Sequence, residues 1–211
     1  HPVLGTGVEQ SCRRRGGDAV VLASTRRDED ERAAMLDTAA TLHRLGHPLH
    51  WPALYPQDVV AVPLPALPAA DDPARPNPVT TPTMPAEAAA RPAGPDAPDA
   101  VLVPLSAHTP AALTELTRRT VAMLRRQPNI DLWDLAHTAA VRRTHHGVRL
   151  AVAATSQADL VAQLETRLTD AEPSVPVPAG PARRVVFVFP GQGGQWWGMG
   201  RELARREPVF R

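Results

Sequence analysis

The chain has 211 residues, enough for one or two domains, and carries a formal net charge of +1. That balance argues against a nucleic acid or an anionic membrane surface as partner. The single Cys12 excludes an internal disulfide and a cysteine-built metal cluster and fits a reduced, cytoplasmic setting, while no apolar run is long enough to span a bilayer and no signal peptide is visible.

In chain order, residues 1–62 read as mixed α/β. Ala19–Ala23 predicts a short apolar strand, and a helix is predicted over Asp28–Leu45, with an acidic first turn suited to the helix dipole and Gly46 as its stop. His50–Tyr55 reads as an aromatic turn, and Arg13–Arg15 as a solvated helix end. From Pro63 to Pro98 the chemistry changes, since 11 of these 36 residues are proline. Proline lacks a donor and fixes φ, so the stretch predicts an extended, semi-stiff linker. A plain spacer and a docking site for a peptide-binding module both fit it.

Residues 100–172 are expected to be compact. Val101–Leu105 predicts a strand. Thr109 and Pro110 open a helix to about Arg126, with Leu113, Leu116, Thr120 and Leu124 at helical spacing. Asp131 caps a short second helix, Val148–Ala153 alternates as a strand, and Ser156 opens a third helix with Leu160, Leu164 and Leu168 on one face. Strand, two helices, strand and helix describe a small α+β layer. The His145-His146 pair reads as a solvated turn, the alternative being half of a metal pair without carboxylate or cysteine at ligand spacing. Ser106 and His108 are too local for a catalytic dyad and read as a cap.

Pro173–Pro181 is a second connector. After it the β-branched and aromatic run Val185–Phe189 predicts a buried parallel strand. A Pro-Gly turn, further glycines and the helix-like Arg201–Arg206 follow. A strand that turns over glycines into a helix aims backbone N–H groups outward, the way an oxyanion hole or a phosphate cradle is built. The chain has no lysine, so this is not a Walker loop, and its glycines do not give the dinucleotide spacing G-x-G-x-x-G. Trp196 and Trp197 read as core packing, with a substrate wall as the alternative.

The phrase Phe187-Val188-Phe189-Pro190-Gly191-Gln192-Gly193-Gly194-Gln195-Trp196-Trp197-Gly198-Met199-Gly200 resembles the opening of the acyltransferase domain of modular type I polyketide synthases and of related malonyl-CoA:acyl carrier protein transacylases. Ser106–Leu113 and Arg142–Ala151 are similar to two recurring phrases of the linker that joins ketosynthase to acyltransferase. His1–Leu4, Ser24–Asp28 and Trp51–Tyr55 are similar to phrases from the tail of an acyltransferase. The implied fold class is α/β, an α+β linker layer plus incomplete α/β-hydrolase-like acyltransferase pieces. The implied units are an acyltransferase tail at 1–62, a proline-rich linker at 63–99, the ketosynthase–acyltransferase linker at 100–180 and an acyltransferase start at 181–211. A tail ahead of a lead-in is out of the family's order, so the chain is expected to be a fragment.

The resemblance implies ping-pong acyl transfer from malonyl- or methylmalonyl-CoA, through an acyl-serine, to the phosphopantetheine thiol of an acyl carrier protein. It gives Gln192 a catalytic role, its backbone N–H being one donor of the oxyanion hole, with Gly191 and Gly193 beside it for close backbone approach. No cofactor or metal is implied on this chain itself; the partners implied are carrier protein, ketosynthase and acyl-CoA. No G-x-S-x-G occurs in the chain, and His1 is not the base histidine, so no acyl transfer is expected from it alone. The alternative is a non-catalytic scaffold that orients synthase domains and docks carrier protein.

Overall fold

The computed structural model describes residues 5–17, 19–55, 60–68, 100–170, 177, 184–189, 191, 194–207 and 210. The first helix, α1 (Gly5–Arg14), buries no residue and ends on Arg13 and Arg14, as a solvated helix end should. The predicted strand at Ala19–Ala23 is not formed. This stretch is half-exposed, and no described strand pairs with it.

Helix α2 (Glu31–Arg44) begins three residues later than its acidic run suggests. Asp28 sits at φ +63°, outside the right-handed region, so the helix cannot start there. Asp30 caps it instead, its carboxylate accepting from Ala33 N at 2.6 Å. At the other end Gly46 takes φ +95°, where any Cβ would also run into the Val177 side chain, and the helix stops. A 3-10 turn at Trp51–Ala53 follows.

The centre of the molecule is strand β1 (Val101–Ala107), buried at all seven positions. Side chains of a strand alternate between faces, so β1 is covered on both. Its partner is β2 (Val148–Ala154), antiparallel, in a register running from Val101 opposite Ala154 to Ala107 opposite Val148. Between them lie α3 (Pro110–Arg126) and α4 (Leu132–Val141), and after β2 comes α5 (Gln157–Thr169). Each start is locally encoded. Thr109, Asp131 and Ser156 accept from N–H groups of the first turns of α3, α4 and α5. Helices α3 and α5 pack on each other, α4 packs on β1 and α2 on β2. Leu102, Leu135, Leu160 and Leu164 are fully buried, each contributing roughly 1.5–3 kcal/mol.

The core crosses the proline-rich stretch. Leu36, Ala40, Trp51 and Tyr55 join the same cluster as the strands. The Tyr55 hydroxyl donates to Leu102 O and accepts from Leu102 N at 3.1 Å, on the side of β1 away from β2. Residues 60–68 run along α4, with Val62 N donating to Thr138 Oγ1 at 3.0 Å and Arg143 donating to Leu64 O at 2.6 Å. The rest of the predicted linker, 69–99, lies outside the described residues.

Two further expectations change. Val185–Phe189 forms no strand and is exposed, Phe187 being 79% and Phe189 87% accessible. A strand is buried by its neighbours, and no described strand lies beside this stretch. Helix α6 (Arg201–Arg206) forms where expected, preceded by Gly200 in the left-handed region.

Candidate functional site

The glycine-rich corner hangs on a chain of short contacts. Gly191 is exposed, and the place of a Cβ on it is open space, so no neighbour among the described residues forces glycine there. Gln192 and Gly193 lie outside the described residues. Gln195 reaches back, its Nε2 donating to Gly191 O at 2.7 Å. Met199 N then donates to Trp196 O, and Arg201 N to Gly198 O at 3.0 Å, closing the turn into α6. Gly198 and Gly200 take φ +84° and +76°, and a Cβ on Gly200 would sit 2.9 Å from the Phe210 ring. Trp197 is not core, being 92% exposed, with the Arg201 guanidinium 5.5 Å from its ring centroid.

The start of α6 is met by a carboxylate from far away in sequence. Glu31, 6% exposed, accepts from Gly200 N, from Glu202 N at 3.0 Å and from Leu203 N at 3.2 Å. In return Glu202 Oε2 accepts from Glu31 N at 3.3 Å. Each helix start thus receives the other's acidic side chain, an exchange between two helices of the kind a capping box makes within one. Arg32 completes the joint. It pairs with Glu207, donates from Nε to Ala100 O at 3.3 Å and lies 5.7 Å from the Trp133 ring centroid. Partners separated by 169 to 172 residues leave no local spacing signal, so sequence reading missed this group.

A second group of polar side chains sits under α2. His43, Trp51 and His145 form an aromatic cluster with centroids 5.0–5.1 Å apart. His43 is buried and its Nε2 has no hydrogen-bond partner. Burial lowers its pKa to about 3, with the charge of Arg149 and then His145 acting in the same direction. Burial likewise lowers His145, against the hydrogen bond its Nε2 makes to Ala140 O at 2.8 Å. His145 is therefore packed against Trp51 rather than lying in a solvated turn. Ser106 does not cap a helix either; its Oγ donates to Thr144 O and accepts from His146 N at 2.9 Å, tying down the loop before β2. Among the described residues no group of three or more His, Cys, Asp or Glu is placed to hold a metal ion, and no helix is long and apolar enough to cross a membrane.

Residues 101–164 match the family described as CurL-like, PKS C-terminal, where PKS stands for polyketide synthase. Norsolorinic acid synthase of Dothistroma septosporum is 40% identical over 109 residues, 52% of this chain and 4% of that protein. Polyketide synthase GfsA of Streptomyces halstedii is 42% identical over 132 residues, 59% of this chain and 2% of that protein. Among solved structures, the acyl transferase domain of SpnD in complex with 2-(pent-4-yn-1-yl)malonyl aligns over 52% of this chain and 26% of that one. Its identity is 34% and its TM-score 0.44. Over about half of its length the chain is homologous to polyketide synthases, and it spans only a few per cent of the curated relatives it matches.

Proposed function

We propose that the chain is a segment of a polyketide synthase from the region of its acyltransferase, where an extender acyl group passes from CoA through an acyl-serine to a carrier protein. One observation carries this reading: a polyketide-synthase match over 101–164 is followed, some twenty residues on, by the acyltransferase-like phrase 187–200 in the same chain. In that reaction the serine oxygen attacks the thioester carbonyl, a histidine takes the hydroxyl proton and returns it to the departing CoA thiol, and the carrier thiol repeats the exchange. The tetrahedral oxygen needs preorganised N–H donors. The Gln192 backbone N–H is the donor we assign to this chain, flanked by Gly191 and Gly193. Serine and histidine come from other parts of a complete acyltransferase. The setting of such a synthase is cytoplasmic.

The test has two arms. Incubated with malonyl-CoA and weighed intact, this chain gains no acyl mass; a stable acyl-enzyme overturns the division of labour. An acyltransferase domain carrying residues 184–207 in place of its own corresponding stretch transfers malonyl groups. Gln192→Pro, which deletes the N–H, then lowers kcat by about 10²–10³-fold. An unchanged kcat sinks the assignment.

A scaffold reading is favoured by a separate observation. The best-buried part of the molecule, the layer 100–170 with α2, contains none of the proposed site residues. Such a layer orients neighbouring ketosynthase and acyltransferase domains and offers carrier protein a surface. Binding of a carrier protein to this chain without turnover supports it, and no binding at high micromolar concentration removes it.

A further inference from the structure

From the exchange of acidic side chains between α2 and α6 we infer that Glu31 is a positioning residue for the glycine-rich corner. The inference deepens the acyltransferase reading and rests on it for its purpose, though not for its geometry. Three backbone N–H groups at the head of α6 point at one buried carboxylate. A carboxylate there meets the positive end of the helix dipole and makes charge-assisted hydrogen bonds, the stronger kind. The head of α6 is continuous with the corner through bonds already described: Arg201 N to Gly198 O, Met199 N to Trp196 O, and the Gln195 side chain to Gly191 O. Gly200 takes a left-handed φ at which a Cβ would run into the Phe210 ring, so glycine is the residue that fits this junction. Arg32, next to Glu31, fastens the other end of α6 through Glu207 and ties the assembly to Ala100 O, the residue before β1. Glu31 and Arg32 therefore hold α6 at both ends and set it on the sheet. An oxyanion hole depends on donors fixed before charge develops, and this joint supplies a fixed base for the corner that would carry one.

The experiment uses the full chain, labelled with ¹⁵N, and reads amide exchange and chemical shifts residue by residue. Glu31→Ala speeds exchange at Gly200, Glu202 and Leu203 by about tenfold or more, as loss of hydrogen bonds to a charged group predicts. It also shifts the amide resonances of Gly191 and Gly194, while exchange in β1 and β2 stays as it was. Glu31→Gln, which keeps one carbonyl acceptor, rescues part of the protection and moves the corner resonances less. The inference is overturned if the three amides exchange as before, if Gly191 and Gly194 do not move, or if β1 and β2 loosen equally, which marks a general loss of stability. If Glu31→Ala does not fold, the same three outcomes are read on Glu31→Gln. Acyl transfer is not measured, so a failed acyltransferase test leaves this result standing and a failed exchange test leaves that one standing.

Discussion

Two apolar stretches of this chain have nearly the same chemistry and opposite fates. Val101–Ala107 and Val185–Phe189 are both rich in β-branched or large apolar residues, yet only the first is a strand. The first is buried at every position, the second exposed at every position. Their difference is not composition but company. Val101–Ala107 has β2 on one side, the Tyr55 hydroxyl on the other and helices over its faces. Val185–Phe189 has no described strand next to it. An apolar run in a sequence reports a tendency to be buried, and burial itself is a property of the pair.

That contrast can be broken by substitution. Leu102→Ala, at a fully buried site, removes about 2–5 kcal/mol of unfolding free energy by denaturant titration; a loss under 1 kcal/mol would mean the β1 core is far looser than it looks. Acid weakens the same half of the molecule. His43 has a folded pKa of about 3 against 6.5 in an unfolded chain, so the unfolded state takes up the proton first. The stability it contributes is complete above pH 6.5 and is lost as pH falls from there toward 3, at about 1.4 kcal/mol per pH unit at most. Unfolding free energies measured between pH 7 and 4.5 fall with pH, and His43→Gln makes the fall shallower, the part that remains including that of His145, which burial lowers in the same direction.

Tyr55→Phe sharpens the comparison further by taking one neighbour from β1. The variant leaves Leu102 N–H and C=O unpaired in a buried place, a loss of about 1–3 kcal/mol in the same titration. Asp131→Ala, which removes the cap on α4, costs about 1 kcal/mol. The smallest effect falls on the exposed stretch. Phe187→Ala changes stability by no more than about 0.5 kcal/mol, and a loss approaching that of Leu102→Ala would show that Val185–Phe189 is packed after all.

What sequence alone makes legible divides along the same line. Helices α3, α4 and α5 can be read because their signals are local: Thr109 before Pro110, Asp131 before an apolar turn, Ser156 before Leu160 and Leu164. The end of α2 at Gly46 is legible for the same reason, while its start is displaced by the left-handed Asp28, which propensity does not foresee. Strand identity at Ala19–Ala23 and Val185–Phe189 is not legible, because pairing depends on partners elsewhere. Of the candidate site, the glycine-rich turn and the short α6 are visible from spacing. Glu31 and Arg32 are not, since helix heads that meet across 169 residues obey no periodicity. The half-buried setting of His145 is hidden likewise, its ring stacking on Trp51 from another part of the chain.

The phenol at Leu102 has an effect beyond holding the sheet together. A bare strand margin is a template on which any passing extended chain can add itself, the first step toward fibrils. Here one oxygen occupies both the donor and the acceptor that such an intruder would need first. An extended chain that pairs with β1 at Leu102 therefore has to evict a side chain first.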